Sequence, residues 1–129
     1  MTMLHRRTIV CLVALLSLAA LAGCGSGAGG ERSSPDELAV ADLVNSVEGV
    51  RDARKAAKFF AAGATPAADK LKKLGGCSLS PVGRAAVSGD TATLRVKLIE
   101  NRTGNDAGEV EWTFVKEDGA WKIKAAPLP

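Results

Sequence analysis

The sequence predicts an α+β domain, with N-terminal helices packed on a curved antiparallel sheet of about four strands. Three observations carry this expectation. Apolar residues recur at helical spacing after Ser34 and switch to strict alternation from Arg84 onward. Ser34-Pro35-Asp36-Glu37 has the composition of a helix start. Asp118-Gly119 separates two alternating runs that each carry a Trp, a strong hairpin signal.

The first helix opens with Ser34 as N-cap and Pro35 at the first helical position. Glu37 closes a capping box, and both Asp36 and Glu37 complement the positive helix end. Leu38, Val40, Ala41, Val44 and Val47 recur at helical spacing, and Gly49 weakens or ends the helix. A second helix is expected over residues 52–62, with Ala53, Ala56, Ala57 and Phe60 as its apolar stripe and Gly63 as its stop. Thr65-Pro66 repeats the start signal for a third helix running to Leu74, with Leu71 and Leu74 inward. Lys70, Lys72 and Lys73 make this section positive, either as a solvated helix face or as a surface for anionic lipid.

The strands follow with period two. Residues 84–88 form a short strand and Gly89-Asp90 a turn. Ala92, Leu94, Val96 and Leu98 alternate with Thr91, Thr93, Arg95 and Lys97. After a polar loop over 101–106, Val110, Trp112 and Phe114 alternate with Glu109, Glu111 and Thr113. Trp121 and Ile123 complete the pattern, with Lys122 and Lys124 on the other face. In a meander the acidic strand then lies between two basic ones, and opposite-charge cross-strand pairs contribute about 0.2–1 kcal/mol each.

The N-terminus reads differently. Residues 1–7 hold His5, Arg6 and Arg7, and residues 8–22 are uncharged and apolar. That run is short of the roughly 20 residues a spanning helix needs, and it ends in small residues, as a signal peptide does. Its last four residues, Leu21-Ala22-Gly23-Cys24, resemble the lipobox of bacterial lipoproteins. The resemblance implies cleavage between Gly23 and Cys24, a diacylglyceryl group on the Cys24 thiol and acylation of the new amine. Buried acyl chains contribute about 0.8 kcal/mol per methylene, so such a chain is stably anchored. The expected organisation is a signal peptide at 1–23, an acylated Cys24 with a Gly/Ser-rich linker at 24–34, and a folded domain at 35–127. The protein is then secreted across the cytoplasmic membrane and lipid-anchored on the periplasmic or outer face. A linker of about ten residues with this composition reaches roughly 17 Å root-mean-square.

Cleavage also subtracts chemistry. Arg6 and Arg7 leave, so 15 basic residues face 14 acidic ones and the net charge falls from +3 to +1. A nucleic-acid partner therefore loses its electrostatic basis. His5, the only His, leaves as well, and the chain has no Tyr. With Cys24 lipidated, Cys77 has no intramolecular partner. It is expected as a half-buried small hydrophobe or as a free thiol able to cross-link two copies. The remaining length supports one small domain burying about 60–70% of its extended surface. No nucleophilic triad, clustered metal ligands, calcium loop or phosphate loop can be assembled, and no cofactor is expected. Asn101-Arg102-Thr103 matches a glycosylation sequon, read as a chance loop match.

The order of helices then meander resembles the SnoaL-like, ketosteroid-isomerase-like (nuclear transport factor 2-like) superfamily. Residues 112–123 are similar to the last hairpin of its small bacterial envelope members. The resemblance implies a cone whose lining would include Trp112, Phe114, Trp121, Leu94 and Val96. Superfamily enzymes place Asp, His or Tyr in that pocket, whereas no Asp or Glu falls on an inward strand position here. The expectation is a non-catalytic envelope module that binds a protein partner or a small apolar ligand. A carboxylate-dependent enzyme and a spacer or antigen-like lipoprotein are the alternatives, and the oligomeric state is open.

Overall fold

The structure, a computed structural model, describes residues 32–129. The signal peptide, Cys24 and the linker up to residue 31 lie outside the described residues. Three helices, α1 (Pro35–Val47), α2 (Ala53–Ala56) and α3 (Ala68–Leu74), precede four strands. These are β1 (Cys77–Ser88), β2 (Thr91–Glu100), β3 (Asp106–Glu117) and β4 (Ala120–Ala125). They form one antiparallel sheet in the order β1-β2-β3-β4, the α+β meander expected.

The start of α1 is fixed by its own side chains. Glu37 N–H donates to Ser34 Oγ at 3.2 Å, and Ser34 N–H donates to Glu37 Oε2 at 3.1 Å. Val40, Val44 and Val47 form its buried stripe. Leu38 departs from the expected stripe and is 53% exposed, because it lies two residues, about 200° of helical turn, from Val40.

The second helix is one turn rather than residues 52–62. Asp52 caps it, and the chain then turns so that Phe60 bridges to Ile123. Ile123 N–H donates to Phe59 O and Ala61 N–H to Ile123 O, each at 2.8 Å. Ladder bonds to the edge of β4 thus replace helical ones, and Ala53 and Ala57 stay exposed while Ala56 and Phe60 are buried. α3 begins at Ala68, later than Thr65-Pro66 predicted, with no side-chain cap, yet Leu71 and Leu74 are buried as expected.

β1 is also longer than the predicted 84–88. Pro81 and Gly83 hide its first half from a pattern search, but both are tolerated on an edge strand. The outer edge is further blunted where Leu79 N–H donates to Glu48 Oε2 at 3.3 Å. The register with β2 shifts by two residues between Val82 and Ala86, so parity is kept and Leu79 and Ala85, six residues apart, share the inward face. Asp118 and Gly119 close the last hairpin with φ of 50° and 77°, the left-handed pair of a type I′ turn.

The charge pattern holds on one side only. Arg95 faces Glu111 and Lys97 faces Glu109 in the β2–β3 register, while the ion pairs run diagonally, Arg95 to Glu109 and Lys97 to Asp106. On the other side β4 reaches no further along β3 than Thr113, so Lys122 and Lys124 do not face Glu109 and Glu111. The hairpin register leaves the acidic residues beyond the end of the short strand.

Candidate functional site

Trp112, Phe114, Leu94 and Val96, the residues predicted to line a cone, are buried between sheet and helices, and Trp121 is 8% exposed. They pack in one cluster with Val40, Val44, Phe60 and Leu71. Their side chains thus fill the sheet's covered face rather than line a hollow. Among the described residues no polar or charged residue is buried. One polar atom is nonetheless enclosed: Trp112 Nε1 has no acceptor among the described residues. The other indole is satisfied. Trp121 Nε1 donates to Asp36 Oδ1 at 2.9 Å, and Lys116 Nζ donates to the same oxygen at 3.0 Å while lying 5.1 Å from the Trp121 ring centroid. These donors, that of Trp121 foremost, hold the Asp36 carboxyl below its usual range.

A concavity of about 970 Å³ lies instead at one end of the sheet, outside the predicted cone. The last turn of α3 contributes Lys72 and Lys73, and the chain then passes through Gly76 into Cys77 of β1. Leu98 and Glu100 come from the end of β2, Arg102 and Thr103 from the following loop, and Ala107 from the start of β3. Leu128 and Pro129 close the far side.

Backbone bonds hold these pieces together. Asn101 N–H donates to Gly76 O at 3.0 Å, and Arg51 Nε donates to Gly75 O at 3.2 Å. Within the loop, Gly104 N–H donates to Glu100 O at 2.7 Å and Thr103 Oγ1 donates to Glu100 Oε2 at 2.9 Å. The loop thereby places Arg102 opposite α3. Pro129 lies against Gly108, whose φ of 113° is the left-handed conformation that favours glycine.

The rim is basic, and Ala107, Leu128 and Pro129 add apolar surface to a lining that is otherwise polar. Lys72 makes only a long ion pair with Asp69, 4.0 Å apart with both side chains mostly exposed. Among the described residues neither Lys73 nor Arg102 has an ion-pair partner. Cys77 is a free, half-buried thiol whose Sγ donates to Lys73 O at 3.5 Å. Burial, and then the nearby Glu100 carboxylate, push its pKa up, so the thiol form is favoured. Cys77 and the lysines stand out in the sequence, whereas Arg102 falls in a polar loop notable only for a chance sequon match. No sequence signal links them, because only the β1–β2 register brings Cys77 beside Glu100.

Among the described residues no group of three His, Cys, Asp or Glu is placed to hold a metal, and no helix is long and apolar enough to cross a membrane. No protein-family model and no curated protein matches the chain. Among solved structures, a Campylobacter jejuni protein named "Putative NTF2-like transpeptidase" is similar at 14% identity, with a TM-score of 0.46, over 70% of this chain and 97% of that one. A likeness of that degree assigns neither family nor activity to this chain.

Proposed function

We propose that this protein is a lipid-anchored envelope module that acts by binding a partner protein and performs no chemistry of its own. The observation that carries the reading is the filled interior. Trp112, Phe114, Trp121, Leu94 and Val96 occupy the space in which a cone-shaped enzyme would hold its substrate, and no carboxylate is buried among them. The Leu21-Ala22-Gly23-Cys24 sequence supports the anchor, and the helices-then-meander order accords with a SnoaL-like module. A small apolar ligand has less support than a protein partner, since these side chains leave it no room in the core.

Membrane fractionation of Cys24→Ala against wild type tests the anchor. The variant is expected in the soluble fraction or as an unprocessed precursor. A native-size variant that stays with membranes after carbonate washing refutes the anchor. In-cell cross-linking followed by mass spectrometry tests the rest: a recurrent envelope partner is expected. Recovery of the uncross-linked chain with a bound small molecule in native mass spectrometry would overturn the protein-partner reading.

A further inference from the structure

The domain has two poles, and the strand register defines them. Cys77, Glu100 and the start of β3 meet at one end of the sheet, where the concavity lies. At the other end the β1–β2 turn meets the β3–β4 hairpin, and Lys116 N–H donates to Asp90 O at 2.7 Å. β2 spans ten residues between them, about 33 Å of strand.

The N-terminal approach to the domain is fastened at the second pole. Arg84 Nη2 donates to Arg32 O at 3.3 Å and to Glu37 Oε2 at 2.9 Å. Asp36, one residue earlier, is held by Lys116 and Trp121 of the hairpin. From there α1 leads away toward the other end, where Glu48 meets Leu79 and Arg51 meets Gly75. The chain thus enters at the pole opposite the concavity.

Lys72, Lys73 and Arg102 line the concavity with Glu100, while Arg84 and Lys116 at the entry pole are engaged by Glu37 and Asp36.

We propose that this basic-rimmed concavity, with Ala107 and Leu128 as its apolar patch, docks an acidic, leucine-bearing segment of a partner protein. The inference rests on the interaction-module reading and names its site and the partner's chemistry. Lys73 and Arg102, unpaired at home, take carboxylates, and the partly buried Ala107 and Leu128 receive an apolar side chain. Charge complementarity is the guide: three cationic side chains, Lys72 shared with Asp69, line the concavity with Glu100, one of whose oxygens is already engaged by Thr103.

The test uses the full mature chain in neutral phosphatidylcholine vesicles and a fluorescent glutamate–leucine peptide, read by anisotropy. Saturable binding is expected, weakened at least about tenfold by Lys73→Glu with Arg102→Glu, and further as salt rises. Lys122→Glu with Lys124→Glu, on β4, is expected to leave it intact. Circular dichroism checks that each double variant is folded. No saturable binding, or equal loss in both double variants, overturns the proposal. So does capture of phosphatidylglycerol vesicles through Lys73 and Arg102 when the peptide is ignored, which would make the site a lipid surface. Cys24→Ala separates this proposal from the anchor. Failed peptide binding with Cys24-dependent membrane retention sinks the docking site alone. Retention without Cys24 sinks the anchor, while the peptide assay in detergent still reads the concavity.

Discussion

Replacing Trp112 with Phe sets two effects of opposite sign against each other. The side chain is fully buried, so shrinking it removes one to two methylenes' worth of apolar contact, a loss of about 1–1.5 kcal/mol. Its Nε1 has no acceptor among the described residues, and relieving a buried unpaired donor returns about 1–3 kcal/mol. The expected net lies between about 2 kcal/mol more stable and about 0.5 kcal/mol less stable. Phe114→Ala, two residues away on the same strand and also fully buried, removes no polar atom and is expected to cost about 3–5 kcal/mol. Urea unfolding by far-ultraviolet circular dichroism measures both, with fluorescence of the remaining Trp121 as a second probe. In a domain of this size about 1 kcal/mol moves the melting midpoint by about 4–8 °C, so the two variants separate cleanly. A Trp112→Phe loss of about 3 kcal/mol or more would refute the reasoning. It would mean that the indole N–H is satisfied in solution, for instance by an ordered water.

Three further outcomes follow from the same contacts. Asp36, Glu37 and Asp106 are held below their usual carboxylate range, chiefly by Trp121, Arg84 and Lys97 respectively. Their stabilisation is therefore complete above the unfolded-state values near pH 4 and lost as pH falls through the lower folded-state ones. Chemical-denaturation midpoints should be flat from about pH 7 to 5 and decline below about pH 4, with a shallower decline in Asp36→Asn. A wild-type acid limb unchanged by that substitution refutes the assignment. Gly75→Ala would put a Cβ 2.4 Å from Arg51 Cγ and 3.0 Å from Val50 O, so a loss of about 1–3 kcal/mol is expected. Gly76→Ala meets nothing closer than 3.4 Å, and equal losses at the two sites would count against the packing described. The Cys77 thiol should react slowly with a disulfide reagent in the folded chain, faster in Glu100→Gln and fastest in urea. Equal rates folded and unfolded would show that neither burial nor Glu100 restrains it.

Where local chemistry and tertiary packing agree, the fold is legible in the sequence. The capping box needs only four adjacent residues, and both of its hydrogen bonds form. Ala92, Leu94, Val96 and Leu98 read as one face because β2 is central and half-buried, the setting that gives strict alternation. The errors fall where a distant partner decides. Residues 57–61 have helical composition, but an unpaired β4 edge beside them offers Phe59 and Ala61 ladder bonds, and the helix stops after one turn. Cys77–Ser88 contains Pro81 and Gly83, which argue against a strand until one knows that it lies at the edge with β2 on its other side.

The same reasoning explains why the site was less legible than the fold. Aromatic residues alternating on a strand predict burial, and Trp112, Phe114 and Trp121 are buried. Whether buried aromatics line a hollow or fill it depends on what the helices bring against them, and a periodicity carries no information about the opposite wall. Here Val40, Val44, Phe60 and Leu71 supply that wall and leave the chemistry to the sheet's end. There the signal in sequence is three cations in two segments, Lys72 and Lys73 together and Arg102 beyond a whole hairpin. Each alone reads as a solvated surface charge, and on a free surface isolated charges are worth little. Only the pairing of Cys77 with Glu100, and the bond from Asn101 to Gly76, set them around one concavity. A surface of this kind is written in register rather than in motif, and its charge can be reversed at Lys73 and Arg102 without touching the core.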